Sequence, residues 1–274
     1  MPSLVIVNAD DFGLDAPTNA VILHAFQRGV ISSATAMANM PAFAAACVLA
    51  QQPALRGRIG LHFNLTYGRP LGRALLDEPR FCTADGELDL CVRRNALRLS
   101  ARERAAVLDE LRAQWQHCLA HGLVPSHIDS HQHVHNLWPI GAIVARFARE
   151  QGVPVRLARN VGANIGFVKR AFKTLLNWRL KRLCGVTADH VCTPADLLSG
   201  QAPDHGVLEV VAHPTALGHD DFGDEYLAPE VSLSQVLLRH LDGVPALGYG
   251  MLGATPRAAR MPLRRPWART GKAG

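Results

Sequence analysis

Short apolar segments alternate along the chain with stretches in which apolar residues recur at helical spacing. The predicted strands are 4–8, 31–37, 58–65, 124–129, 153–157, 189–193, 207–212 and 246–250. The predicted helices are 17–28, 41–52, 100–122, 139–151, 166–185 and 230–241. Strands that alternate with helices are typical of βα units around a parallel sheet.

This alternation predicts a single-domain α/β fold, namely a distorted (β/α) TIM-like barrel of seven to eight parallel strands. An open doubly wound sheet is the alternative, but neither a GxGxxG nor a GxxxxGK[ST] loop follows the first strand. We assign the barrel domain to residues 1–254. Residues 255–274 are rich in Arg, Pro and Ala and are predicted to form a basic, disordered C-terminal tail.

Composition and charge narrow the class of protein. The 274 residues are 48% hydrophobic and 19% charged, as in ordinary soluble proteins. The chain shows neither a run of 18 apolar residues nor a secretory signal. Its six cysteines are scattered without a CxxC pair, which favours a reducing compartment and predicts a cytoplasmic protein.

The net charge of +6 is unevenly distributed. Segments 166–183 and 255–274 each contain six basic residues and no acid, which leaves the rest of the chain net acidic. This pattern argues against a nucleic-acid-binding protein. The basic, amphipathic segment 166–183 has two interpretations: a barrel helix with a solvated charged face, or a peripheral contact with an anionic membrane or a lipid-linked or phosphorylated sugar. The oligomeric state is not specified, and a homodimer is compatible with the sequence.

Candidate catalytic side chains follow the predicted strands. Asp10 and Asp11 come after the first strand, and two adjacent carboxylates repel each other unless a cation is near. His62 lies in the third strand, and His213 follows strand 207–212. Because barrel enzymes place their chemistry at the C-terminal ends of the strands, we expect these side chains to meet.

A histidine run after the fourth strand strengthens the case for a metal site. Four of the chain's 13 histidines lie within residues 127–135. Alternate residues on a strand share a face and can present two or three ligands to one ion. A catalytic site uses about three protein ligands, so the other residues orient ligands or bind substrate. A bound metal lowers the pKa of water to about 7, which predicts hydrolysis of an amide, an ester or a phosphoester.

Four motifs together resemble the signatures of the YdjC-like carbohydrate deacetylases, which include the chitooligosaccharide deacetylases. The motifs are NADDFG (8–13), GLHFNLT (60–66), SHIDSHQHVH (126–135) and AHP (212–214). Their order and spacing agree over roughly residues 3–215. The resemblance implies a distorted (β/α) barrel that removes acetyl groups from N-acetylated amino sugars or oligosaccharides.

The resemblance also implies residue roles and a cofactor. The implied metal ligands are Asp11, His62 and His127. Asp10 would be the catalytic base and His213 the acid. The predicted supporting or substrate-binding residues are Asp129, His131, His133 and Arg159. One divalent ion is expected, and zinc is favoured over magnesium because two imidazoles are poor magnesium ligands.

Other functions fit the sequence less well. A metal-dependent phosphoesterase is the alternative, since HxH-type sites serve both chemistries, but two-metal phosphoesterases need more bridging carboxylates than we can place. A receiver domain would need an Asp after the third strand and a Lys after the fifth, and neither is present. The resemblance ends at about residue 220, where DGVPALGY (242–249) replaces the usual C-terminal segment.

Overall fold

A six-stranded parallel sheet forms the centre of the computed structural model, which describes residues 1–218 and 220–254. The strands are β1 (Leu4–Phe12), β2 (Ser33–Ala36), β3 (Ile59–Phe63), β4 (Ile128–Ser130), β5 (His190–Cys192) and β6 (Val207–Ala212). Their spatial order is β4-β3-β2-β1-β6-β5, and each neighbouring pair is parallel. The predicted single-domain α/β class is confirmed. The predicted tail at 255–274 lies outside the described residues.

Helices connect most of the strands. They are α1 (Ala16–Gln27), α2 (Phe43–Leu49), α3 (Ala101–Ala120), α4 (Trp138–Gln151), α5 (Phe167–Cys184), α6 (Pro194–Leu198), α7 (Leu233–Leu241) and α8 (Met251–Ala254). Short 3-10 helices occupy Ala74–Asp77 and His131–Asn136. After β6 the chain forms an antiparallel hairpin of β7 (Pro214–Leu217) and β8 (Asp221–Asp224), which the sequence did not predict.

The sheet has fewer strands than the seven to eight predicted for a barrel. Two predicted strands, 153–157 and 246–250, form only isolated bridges, Val155 to Ile128 of β4 and Ala246 to Val5 of β1. Pro154 lies in the first segment and Pro245 directly precedes the second, and a proline lacks the N–H that a continuous ladder requires. The sheet is therefore a curled partial barrel, compatible with a distorted TIM-like fold.

Segment 154–161 contacts both edges of this sheet. The carbonyl of Pro154 accepts a 2.9 Å hydrogen bond from Ile128 of β4, and the amide of Asn160 donates a 3.2 Å bond to Val191 of β5. The segment therefore brings Arg156, which lies between these two points, into the interior of the fold.

The core is covered on both sides of the sheet. β6 is buried along its whole length, and β1 is buried at all but its first residue and Asp11. Such runs are expected for parallel strands with helices on both faces. Among the described residues, no helix combines the length and the apolar character needed to cross a membrane.

Candidate active site

A bulge at the end of β1 places two neighbouring carboxylates on the same side of the sheet edge. Side chains of successive strand residues normally point to opposite faces. Here the pairing of β1 with β2 shifts register between Ala9 and Phe12, and Asp11 has a left-handed φ of 67°. Asp tolerates this conformation better than most residues do. The bulge allows both Asp10 and Asp11 to face His213.

Asp11 lies between two histidines. Its Oδ1 is 3.1 Å from Nε2 of His62 and 2.9 Å from Nδ1 of His131. A tetrahedral zinc ion with bonds of about 2.0–2.1 Å has ligand atoms separated by roughly 3.3 Å. The three side chains therefore already lie close to the spacing of a metal site. Because Asp11 and His131 are partly exposed, the cluster is reached from solvent.

His62 is oriented by a second carboxylate. Its Nδ1 lies 2.7 Å from Oδ1 of Asp129, which leaves Nε2 directed at Asp11. Burial alone would lower the pKa of His62, but Asp129, Asp10 and Asp11 raise it to about 10. The ring therefore supplies the positive charge that this acidic cluster requires. A metal ion at the same point would replace the proton on Nε2 while Asp129 held the ring, as in carboxylate–histidine–metal triads.

Arg156 lies behind the cluster and binds three buried acids. Its guanidinium is 2.6 Å from Asp10, 2.7 Å from Asp129 and 2.6 Å from Glu209. Burial alone would raise the pKa of Asp10, but Arg156 holds that pKa well below its usual range. A second group has a spacing that could hold a metal ion, namely Asp10, His62 and Asp129. The guanidinium of Arg156, however, already binds both carboxylates of this group. Among the described residues, the candidate metal position is therefore the point between Asp11 and the two histidines.

His213 stands on the solvent side of the two aspartates. Its Nε2 is 3.9 Å from Oδ2 of Asp10 and 3.8 Å from Oδ2 of Asp11. These separations are too long for direct hydrogen bonds, and one reacting atom placed between the groups would contact all three. Asp224 fixes the position of His213, because its Oδ2 accepts a 2.7 Å hydrogen bond from the His213 amide. Tyr226 packs edge-on against the His213 ring.

His127 is separated from this candidate metal position. Its Nε2 lies 3.1 Å from Oδ1 of Asn8, and its ring stacks on Tyr249 with centroids 4.0 Å apart. Gly60 makes room for this arrangement, because a Cβ there would lie 2.5 Å from the His127 ring. The structure thus brings His131, and not His127, to Asp11 and His62.

The other predicted site residues lie around this centre. Asp129 contacts His62 and Arg156, as expected for a supporting residue. His133 is partly buried in the turn after β4, and burial lowers its pKa to about 4. Arg159 donates a 2.8 Å hydrogen bond to Asp196, which directs its guanidinium to α6.

Sequence reasoning missed a second layer of buried polar residues. No metal-binding or catalytic role for Arg156, Glu209 or Tyr249 follows from the sequence patterns. The hydroxyl of Tyr249 donates a 2.5 Å hydrogen bond to Glu209, which binds Arg156. A Glu inside the otherwise apolar run VLEVVA was the available signal, since an unpaired charge there would be very costly.

Comparison with known proteins identifies the family. The model of the family described as YdjC-like protein matches residues 4–233. The chain belongs to the YdjC-like family.

Curated relatives of this YdjC-like chain carry an enzyme name. It is 38% identical over 246 residues to a chitooligosaccharide deacetylase of Yersinia pestis (strain Pestoides F), a match that covers 86% of this chain and 91% of that protein. The values are the same for the chitooligosaccharide deacetylase of Yersinia pseudotuberculosis serotype O:1b (strain IP 31758).

A solved structure supports the fold of the YdjC-like chain. The crystal structure of an Enterococcus faecalis V583 protein, to which cleavage of cellobiose phosphate has been provisionally ascribed, superimposes with a TM-score of 0.61. The match covers 86% of this chain and 91% of that protein, at 23% sequence identity. At this level of identity the likeness concerns the fold alone.

Proposed function

We propose that this protein is a metal-dependent carbohydrate deacetylase that hydrolyses the N-acetyl group of an N-acetylated amino sugar or oligosaccharide. The observation that carries the proposal is the convergence of Asp11, His62 and His131 beside Asp10 and His213. The name shared by the curated relatives supports the amide bond and the sugar class of the substrate.

The proposed metal ligands are Asp11, His62 and His131. One carboxylate and two imidazoles form a donor set that suits zinc better than magnesium, which prefers oxygen ligands. His131 takes the place that the sequence resemblance gave to His127. Three protein ligands leave a further coordination position for water or substrate, as catalytic zinc sites require. When bound, such an ion activates water near neutral pH and polarises a carbonyl group.

Asp10 and His213 are the proposed base and acid. Because Arg156 keeps Asp10 ionised, this carboxylate is ready to accept a proton from the attacking water. Its Oδ2 accepts one hydrogen bond from Arg156, so a second lone pair remains on the side of His213. Water adds to the acetyl carbon, the C–N bond breaks, and His213 delivers a proton to the leaving amine. The products are acetate and the free amino sugar.

Acetate release from a panel of N-acetylated sugars tests the proposal. The panel contains N-acetylglucosamine, chitooligosaccharides of increasing length and lipid-linked N-acetylated sugars. Metal-loaded protein should release acetate from at least one member, whereas protein stripped by a chelator should not until metal is returned. Equal rates with stripped and loaded protein would contradict metal dependence, and no acetate from any member would contradict the substrate class.

The phosphoesterase alternative is tested by metal stoichiometry. Both candidate ligand groups in the described residues share His62, and Arg156 occupies the second group. We therefore expect one ion per chain by elemental analysis. Two ions per chain, together with release of phosphate from a phosphomonoester, would favour the phosphoesterase.

A further inference from the structure

α5 presents an apolar face to solvent on the side opposite its packing contacts. Its buried side chains include Leu176, Leu180 and Cys184, which contact the rest of the fold. The opposite side is formed by Phe167, Ala171, Leu175 and Trp178, which recur at helical spacing. A helix that only covers a barrel would place polar residues there.

The exposure of this face is large for such side chains. Phe167 is 86% exposed, Val168 81%, Trp178 56% and Leu175 51%. The stripe they form spans residues 167–178, the first part of the 18-residue helix, a length of about 18 Å. Contiguous exposed apolar surface of this kind marks an interaction site more often than a free surface.

The apolar stripe lies on a strongly basic helix. The helix carries six basic residues and no acid. Lys169, Arg170 and Arg182 are exposed and have no salt-bridge partner within the described part of the chain. Arg182 lies over the ring of Trp178, with its Cζ 5.4 Å from the ring centroid. Long basic side chains beside an apolar stripe can reach phosphates while their stems cover apolar surface.

We propose that α5 docks the protein on an anionic lipid membrane, lying parallel to the surface with Phe167, Leu175 and Trp178 inserted among the headgroups. An apolar stripe flanked by cations is the pattern of interfacial helices. A second copy of the chain fits poorly, because two such faces would bring six positive charges against six. Segment 255–274 is equally unsuited to cover α5, since it also carries six cations and no acid.

α5 contacts the helix that follows the proposed active site in the chain. Nη1 of Arg179 donates a 2.7 Å hydrogen bond to the carbonyl of Trp138, and the guanidinium stacks on the Trp138 ring. Trp138 begins α4 one residue after the turn His131–Asn136, which carries a proposed metal ligand. The proposal goes beyond the deacetylase function and does not depend on it.

Vesicle sedimentation of the full-length protein tests the docking. Vesicles of phosphatidylcholine alone are compared with equimolar phosphatidylcholine and phosphatidylglycerol, at about 0.01 M and about 1 M salt, where the Debye length is roughly 30 Å and 3 Å. We expect binding to the anionic vesicles at low salt, weaker binding at high salt and little binding to the neutral vesicles. Failure to sediment with anionic vesicles at low salt would overturn the proposal.

Two variants of α5 test whether vesicle binding occurs through its exposed apolar and basic face. Lys169→Glu with Arg170→Glu should weaken binding about 30-fold or more. Phe167→Gln with Trp178→Gln should weaken it more than about tenfold, because the inserted apolar area is lost. The matched controls are Arg93→Glu with Arg94→Glu for charge and Val48→Gln with Leu97→Gln for apolar exposure, all at exposed positions distant in sequence from α5.

Circular dichroism and thermal unfolding establish that every variant is folded. Controls that bind like the parent while both α5 variants bind weakly would support the proposal. If the α5 variants bind vesicles as tightly as the parent, the membrane-binding surface lies elsewhere and the proposal is wrong. Sedimentation equilibrium showing a dimer that Trp178→Gln dissociates, without vesicle binding, would instead assign the face to self-association and overturn membrane docking.

Discussion

Arg156 binds both oxygens of the Asp10 carboxylate. Nη1 donates to Oδ2 and Nη2 to Oδ1, each at 2.6 Å, and all of these atoms are buried. The adjacent aspartates of β1 are thus neutralised by different partners: Asp10 faces a guanidinium, and Asp11 faces two histidines. This division fits the proposal that Asp11 holds a metal ion and Asp10 handles a proton.

Removing the guanidinium should destabilise the fold strongly. Arg156→Met would leave Asp10, Asp129 and Glu209 buried without their shared cation. Breaking a buried ion pair by removing one partner costs about 3–5 kcal/mol, and we expect a loss of that size in the free energy of unfolding from urea titration. The matched control is Arg69→Met, which breaks an exposed pair with Glu87 and should cost less than about 1 kcal/mol. Equal losses for the two variants would contradict this account of Arg156.

Metal content should distinguish the two histidines at positions 127 and 131. His131→Ala removes a proposed ligand and should lose both the ion and acetate release. His127→Ala should keep about one ion per chain, because His127 contacts Asn8 and Tyr249 and not Asp11. Elemental analysis after dialysis measures both. Loss of metal from His127→Ala with retention in His131→Ala would restore the ligand set implied by the sequence resemblance.

The sequence was sufficient to predict the βα alternation. It also predicted that five side chains would lie close together, because all five lie near or directly after the C-terminal ends of strands: Asp10, Asp11, His62, His131 and His213. It was not sufficient to choose between His127 and His131. Alternation along a strand predicted that both histidines would share a face, but β4 ends at Ser130. The chain then turns through two left-handed residues, Gln132 and His133, which no periodicity indicates.

The predicted number of strands, seven to eight, was too high for a related reason. Segments 153–157 and 246–250 are apolar enough to be strands, yet Pro154 and Pro245 interrupt their pairing. The buried partners of Arg156 come from β1, β4 and β6, which are far apart in sequence. Local pattern cannot reveal such contacts, because they depend on the order of the strands in the sheet.

Asp10→Asn should separate proton transfer from metal binding. The amide has the size of the carboxylate but cannot accept a proton from water, so kcat should fall by about 10²–10⁴-fold. Asp10 is outside the proposed ligand set, so the variant should keep its metal. Asp109→Asn, an exposed change of the same kind, is the control and should leave kcat unchanged. Turnover of Asp10→Asn within tenfold of the parent would exclude Asp10 as the base.

The C-terminal segment that departs from the family pattern should contribute to stability through Tyr249. Its hydroxyl is fully buried and donates a 2.5 Å hydrogen bond to Oε2 of Glu209, while its ring stacks on His127. Tyr249→Phe keeps the stacked ring but leaves that carboxylate oxygen without its donor, which should cost about 1–3 kcal/mol in the free energy of unfolding. Tyr67→Phe, at a position 54% exposed, is the matched control and should change stability by less than about 0.5 kcal/mol. Urea titrations that show no difference between the two variants would mean that the Tyr249–Glu209 bond adds nothing to the fold.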